Sequence, residues 1–154
     1  MKTIPLTHGM VTIVDDQDYD LLSQWKWSAH WGETKTYYAS RVENGKTILM
    51  HRQILNAKSN QWVDHKDGNT LDNRRDNIRL CSRSQNMRNR KVPVNNRLGI
   101  KGVRVKNGRY EARIMSDKRA IFLGGFETAL EATLAYNAAS LKYHGEFGRL
   151  NIIP

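Results

Sequence analysis

The stretch from Trp62 to Arg90, WVDHKDGNTLDNRRDNIRLCSRSQNMRNR, constrains the fold of this chain more than any other. Trp62 and Val63 are strand formers that run into Asp64-His65, and Asp67-Gly68 is a turn pair. Ile78, Leu80 and Cys81 make a second short strand. Ser82 then has the character of an N-cap, with Gln85 three residues on completing a capping box, so Asn86 falls one turn into a helix. Strand, long polar loop, strand and helix bring a carboxylate, an imidazole and several carboxamides within reach of one another.

That set of groups suits metal-assisted phosphodiester hydrolysis. An imidazole with an ordinary pKa near ~6.5 is largely neutral at pH 7 and takes a proton from water. Asp64 and Asn86 offer hard oxygen ligands of the kind that Mg²⁺ or Mn²⁺ prefers. An ion on two protein oxygens keeps most of its shell for water and substrate phosphate, and stabilises charge on the departing oxygen. Asn77 is placed to orient the loop or the imidazole. An Asp-His pair or an Asn-rich loop taken alone is more often a plain turn, and only the whole pattern points to this chemistry.

Three segments, Asp64-His65-Lys66-Asp67-Gly68-Asn69, Asp76-Asn77-Ile78-Arg79-Leu80 and Ser84-Gln85-Asn86, together resemble the HNH homing endonucleases of phages, which are ββα-metal nucleases. The resemblance implies that His65 is the general base and that Asp64 and Asn86 hold one divalent cation. It gives Asn77 a structural part in the catalytic set. Asn73 and Asn89 are neighbours that could be confused with these two asparagines. A His-Arg pair similar to His51-Arg52 often precedes the motif in that family, where His51 would contact a phosphate or support the site.

Charge points to the same class of partner. The 154 residues carry a formal net charge of +10, which favours a polyanion, nucleic acid before acidic membrane. Residues 1–63 hold 7 Lys/Arg against 6 Asp/Glu, residues 64–96 hold 8 against 4, and residues 97–154 hold 10 against 5. The excess therefore follows the motif and the C-terminal third. Cys81 is the single cysteine, which excludes an internal disulfide and a cysteine-based zinc cluster. No apolar run reaches the ~18 residues of a membrane span. Met1 to Thr7 lack the basic-then-apolar form of a signal peptide, so a cytoplasmic setting is expected.

Taken in order, Met10 to Val14 reads as a strand and Asp15 to Trp27 as a turn and brief helix, with Asp18 as cap and Leu21, Leu22 and Trp25 on one face. Tyr37 to Val42 and Thr47 to His51 flank Asn44-Gly45, a strong hairpin signal. Trp25, Trp27 and Trp31 are expected in the first core rather than stacking on bases. A short helical piece through Ile54 and Leu55 leads to the motif. Residues 91–98 have no apolar period and read as a basic linker.

The last third is a second module. Gly102 to Lys106 and Arg109 to Met115 are strands joined at Asn107-Gly108, and Arg119 to Leu123 is a third, ended by Gly124-Gly125. Thr128 and Glu131 form a capping box for a helix that stops near Gly145. Alternation places Val103, Val105, Tyr110, Ala112 and Ile114 on one sheet face, and Arg104, Lys106, Arg109, Glu111 and Arg113 on the other. A small cationic sheet can enter the major groove, where Arg pairs with guanine.

Gly102-Val103-Arg104, Tyr110-Glu111-Ala112-Arg113, Phe122-Leu123-Gly124-Gly125-Phe126, Glu131-Ala132, Ala135-Tyr136, Gly145 and Leu150-Asn151 resemble the APETALA-type domain of plant ethylene-response factors. In that family the sheet reads DNA, which implies Arg104, Lys106, Arg109 and Arg113 as contacts. The first hairpin is a residue shorter here and lacks the family's tryptophan, so base preference does not transfer.

The expectation is an α+β chain. A ββα-metal (HNH) nuclease domain fills 1–90, with its core motif at 62–90. The linker 91–98 joins it to an APETALA-type domain at 99–154, a three-stranded antiparallel sheet packed on one helix. The expected activity is Mg²⁺- or Mn²⁺-dependent cleavage of double-stranded DNA, with one ion per site and no obligatory protein partner, in a phage or mobile-element homing endonuclease. A catalytically inactive DNA-binding regulator and an RNA-directed protein are the rivals.

Overall fold

The computed structural model describes residues 1–32, 35–93 and 95–153. Val94 of the expected linker and Pro154 of the expected second domain lie outside the described residues, as do Glu33 and Thr34 of the first. The architecture is α+β, and the chain divides into two compact units, Met1–Asn86 and Met87–Pro154. No helix among the described residues is long and apolar enough to cross a membrane.

The first unit begins with an antiparallel pair, β1 (Lys2–Pro5) and β2 (Val11–Val14). Thr12 and Val14 of β2 point inward and are fully buried, the period of 2 expected of a half-covered strand. Helix α1 (Asp16–Leu22) starts after Asp15, three residues before the expected cap. Asp18 is instead buried in an ion pair with Arg75. Leu22 is buried while Leu21 is exposed, so only one of these two leucines faces the core.

A three-stranded meander follows, β3 (Ser28–Trp31), β4 (Tyr37–Glu43) and β5 (Lys46–Leu49), with β4 in the centre. Asn44 and Gly45 join β4 to β5 with φ of 50° and 72°, the left-handed pair that a two-residue hairpin turn demands. Trp27 is buried and donates its indole N–H to the Leu22 carbonyl at 2.8 Å. Trp25 packs at the margin of the core, and Trp31 remains exposed against the Tyr37 ring. Helix α2 (Met50–Ile54) then buries Met50, His51 and Ile54. The motif follows as β6 (Trp62–His65), antiparallel to β7 (Ile78–Cys81), and α3 (Arg83–Arg88). The expected capping box is formed: Ser82 N–H donates to Gln85 Oε1 at 2.7 Å, and Gln85 N–H to Ser82 Oγ at 3.2 Å.

The second unit is a sheet in the order β10-β9-β8, from β8 (Val103–Lys106), β9 (Arg109–Ser116) and β10 (Arg119–Phe126), with helix α4 (Ala129–His144) against it. Strand β10 does not end at Gly124-Gly125 as expected. It continues through them by a bulge between Phe122 and Gly124, which turns Leu123 toward the helix side. Val103, Ala112 and Ile114 of the sheet pack with Ala132, Tyr136 and Ala139 of α4 in small apolar clusters. Val105, at the hairpin end of β8, stays exposed. Thr128 and Glu131 cap α4 reciprocally.

Leu98 and Ile100 pack on the same core, and an Asn96 turn holds them through Leu98 N–H to Asn96 Oδ1 at 3.0 Å. Asn151 ties the tail down by exchanging hydrogen bonds with the Lys101 and Asn137 backbone and side-chain groups at 2.7–3.0 Å.

Gly102 has φ of 74°, and a Cβ placed there would run into the Tyr136 ring and lie 2.6 Å from the Arg113 carbonyl oxygen. Its own carbonyl accepts the Arg113 N–H at 2.8 Å, so the backbone cannot move away without losing that bond. Gly102→Ala is expected to destabilise the second unit by about 3 kcal/mol. Faster amide exchange in β9 and α4 checks this, and exchange unchanged from the parent refutes it.

Candidate active site and nucleic-acid interface

Strand register decides which groups meet. In the β6–β7 pair Asp64 lies opposite Arg79 and His65 opposite Ile78. Arg79 donates Nε and Nη2 to Asp64 Oδ2 at 3.1 and 2.8 Å, and both side chains are largely buried. A cross-strand cation therefore already neutralises the carboxylate beside the candidate base, a pairing that the register of β6 on β7 carries and the linear motif does not display.

His65 is buried, with its Nε2 3.1 Å from Asn73 Oδ1. Burial lowers its pKa, partly offset by the Asn73 hydrogen bond and the Asp64 charge. The ring is thus neutral at pH 7 and able to accept a proton. His51 of α2 stands edge-on to it, ring centroids 5.0 Å apart, and Tyr38 lies 5.6 Å from His51 and 6.3 Å from His65. Desolvation, then the neighbouring His65 and Arg52, brings the His51 pKa down to about 3.

Two asparagines of the loop, Asn77 and Asn73, divide the work that the motif alone assigns to one. Asn77 holds the loop: its Nδ2 donates to the Asp72 carbonyl at 2.8 Å, and its Oδ1 accepts the Asp67 N–H at 3.1 Å. Asn73, completely buried, holds the imidazole. The rest of the loop is pinned from the N-terminal side. Arg75 grips the Asp18 carboxylate with Nε and Nη2 at 2.8 and 2.7 Å, and its N–H donates to Asp15 at 2.7 Å. Thr70 donates its hydroxyl to the Tyr37 carbonyl at 2.5 Å.

Asn86 is half-buried near the start of α3, its N–H bonded to the Ser82 carbonyl at 3.0 Å. Cys81 marks how the motif folds up. Burial and then the Asp64 charge push its thiol to about 11, while the Asn86 N–H favours the opposite direction. Asp64 and Asn86 thus both act on this one sulfur. Among the described residues no three His, Cys, Asp or Glu side chains gather as a metal cage. The donor chemistry of Asp64 and Asn86, one carboxylate and one carboxamide, fits a hard divalent ion that keeps water and phosphate in its shell. An ion there would share Asp64 with Arg79.

In the second unit Arg104, Lys106, Arg109 and Arg113 are all exposed on the face away from α4. Glu111 sits among them: Arg104 Nη2 lies 2.7 Å and Arg113 Nη2 3.4 Å from Glu111 Oε2. The Arg104 hydrogen bond holds the Glu111 carboxyl below its ordinary pKa. Arg109 donates to the Gly125 carbonyl at 3.1 Å, and the Arg113 guanidinium lies 5.6 Å from the centre of the exposed Phe122 ring. Three of the four cations are thus already oriented by neighbours on their own sheet.

Residues 58–88 match the HNH endonuclease family. The chain carries an HNH endonuclease domain, followed by a C-terminal region similar to an APETALA-type DNA-binding domain. Over 151 residues it is 28% identical to an uncharacterized HNH endonuclease of Acanthamoeba polyphaga mimivirus, covering 94% of this chain and 76% of that protein. Over 78 residues it is 36% identical to dehydration-responsive element-binding protein 2D of Arabidopsis thaliana, covering 49% of this chain and 38% of that protein. No solved structure matches.

His51 links this site to stability. Its pKa falls from 6.5 in the unfolded chain to about 3 when folded, so the unfolded state binds the extra proton between those values. The stabilisation is complete above the unfolded pKa and is lost as pH falls. Unfolding free energy of the first unit, which contains all four tryptophans, is expected to drop as pH is lowered from about 7 towards about 5. His51→Gln should flatten that slope in urea titrations followed by tryptophan fluorescence. An equal slope in the variant would place the dependence on other groups.

Proposed function

We propose that this protein is a divalent-metal-dependent HNH endonuclease that hydrolyses phosphodiester bonds of duplex DNA, anchored by its C-terminal APETALA-type domain. The observation that carries the reading is a buried, neutral His65 next to Asp64, with one ring nitrogen already engaged by Asn73. HNH nucleases generally use a divalent metal, and Asp64 and Asn86 would hold one ion, Mg²⁺ or Mn²⁺. When bound, such an ion supplies charge stabilisation at the phosphate and at the leaving oxygen.

The chain's own contribution begins with proton transfer. His65 removes a proton from water as the oxygen attacks phosphorus, and the resulting imidazolium stays hydrogen-bonded to Asn73. Asn77 keeps the loop closed under the ring. Arg79 holds Asp64 in its rotamer through two hydrogen bonds, so the carboxylate does not swing away during turnover. Arg104, Lys106, Arg109 and Arg113 bind the duplex through the sheet of the second unit. The reading extends to a phage or mobile-element homing endonuclease acting in the bacterial cytoplasm, since such enzymes pair a weakly specific cutter with a separate DNA anchor.

One observation favours a second reading. The Arg79–Asp64 ion pair lowers the demand of that carboxylate for a cation, as in a decayed nuclease kept as a DNA-binding regulator. Plasmid nicking with Mg²⁺ or Mn²⁺ separates the two. Cleavage is expected with either ion, to be lost with EDTA, and to fall by at least about 100-fold in His65→Ala while DNA affinity holds. Full activity in that variant rejects His65 as the base, and no cleavage by the parent chain supports the regulator.

The sheet carries its own expectation. Replacing Arg104 and Arg113 together with Ala should weaken specific binding by at least roughly 30-fold if each contacts a base. A footprint of unchanged extent and affinity means the domain docks through another face.

A further inference from the structure

Asn73 has one carboxamide with two distinguishable ends, and its surroundings decide which end faces His65. Thr12 of β2 donates its hydroxyl proton to the Leu71 carbonyl at 2.7 Å. The Met50 sulfur, 3.9 Å from the same hydroxyl, is the longer and weaker acceptor, so it does not compete for that proton. With its one proton spent, Thr12 Oγ1 can only accept from the atom 2.8 Å away, and that atom must be the Asn73 Nδ2. The second Nδ2 proton faces the Met50 sulfur at 3.6 Å. Reversing the amide would take the Thr12 proton from Leu71 and turn an oxygen onto the sulfur.

Asn73 Oδ1 is therefore the end that faces His65 Nε2. A carboxamide oxygen has no proton to give, so Nε2 must carry one. All four participating side chains and the backbone that presents them lie within the first unit, and Thr12 and Asn73 are completely buried. Losing either partner would leave a buried hydroxyl or amide unpaired, at its full desolvation penalty.

We propose that Thr12, acting through Asn73, is a positioning residue that keeps His65 in the Nε2–H tautomer and so makes Nδ1 its proton-accepting nitrogen. Thr12 lies outside the matched family segment: it comes from a strand some fifty residues upstream of the motif, which closes on the loop through the fold. The tautomer claim stands on hydrogen bonds alone. Its catalytic meaning rests on the nuclease reading above: the water proton passes to Nδ1, the electron pair left on oxygen forms a new bond to phosphorus, the bond from phosphorus to the 3′ oxygen breaks with its electron pair leaving on that oxygen, and the ring becomes an imidazolium with both nitrogens protonated.

Long-range ¹⁵N–¹H NMR of the full-length chain reads the tautomer without any need for turnover. The parent protein is expected to show His65 with a pyrrole-like Nε2 and a pyridine-like Nδ1. Thr12→Val, which keeps the side-chain shape, should release the amide and give a mixture of tautomers. It should also lower kcat roughly tenfold with KM nearly unchanged, by analogy with the loss of other outer partners of functional imidazoles. Thr12→Ser restores the hydroxyl and should recover both the single tautomer and kcat.

A parent chain with Nδ1–H overturns the inference outright, as does a folded Thr12→Val with the tautomer unaltered. If Thr12→Val does not fold, Thr12→Ser decides, because loss of the Nε2–H form there is equally fatal. The expected tautomers in a chain that cuts no DNA under any metal would uphold the positioning role while rejecting the nuclease reading.

Discussion

The structure of the first unit depends on a polar loop being zipped onto a strand that is remote in sequence. Ile13 of β2 donates its N–H to the Leu71 carbonyl at 2.9 Å and accepts the Asn73 N–H at 2.8 Å. These two bonds add the loop to the N-terminal hairpin as a short parallel partner, with Ile13 opposite Asp72. The constraint behind them is general: buried backbone groups must be paired, and this loop has little regular structure of its own to pair them. Asp72, Asn73 and Asn77 are all buried, which is tolerable only because β2, Arg74 and the loop itself supply partners. The family match at residues 58–88 covers the motif but not the strand that holds it in place.

Electrostatics in the site follow from the same burial. Two imidazoles packed edge to face in an enclosed space cannot both be charged, and desolvation drives both toward the neutral form. The carboxylate next to them is paired with Arg79, which reaches it across the strand pair. A fully desolvated lone carboxylate would be costly, whereas a buried pair with two good hydrogen bonds is sustainable. The result is a neutral imidazole beside an ion-paired carboxylate. Both states are fixed by neighbours from the opposite strand and from the loop.

The second unit solves a different problem, how to present several cations on one small face without scattering them. Placing Glu111 opposite Arg104 in the β8–β9 register allows one carboxylate to order two arginines. The Gly125 carbonyl and the Phe122 ring orient Arg109 and Arg113. Long side chains that are already confined lose less freedom on meeting a partner. The opposite face is kept thin by Ala112, Ala132 and Ala139, which let α4 approach closely.

Much of this could be read along the chain, because it depends on local chemistry. Both Asn-Gly hairpins, the Ser82 and Thr128 capping boxes, the β6–β7–α3 order and the alternation that sends Arg104, Lys106, Arg109 and Arg113 to one face are set by residues within a few positions of each other. Other features were out of reach for the opposite reason. The strands β1 and β3 carry weak patterns and exist because neighbouring strands pair with them, and β10 crosses two glycines because β9 supports it through the bulge. Asp18, which has the look of a helix cap, is claimed by Arg75 from far along the chain, since a buried carboxylate gains more from a bidentate guanidinium than from a helix end. The sequence alone named His65 and its acidic neighbour, a matter of adjacent residues. That Asn73 rather than Asn77 holds the ring, and that Arg79 holds the carboxylate, was decided by tertiary structure, because hydrogen bonds between distant segments depend on register and closure that no linear pattern records.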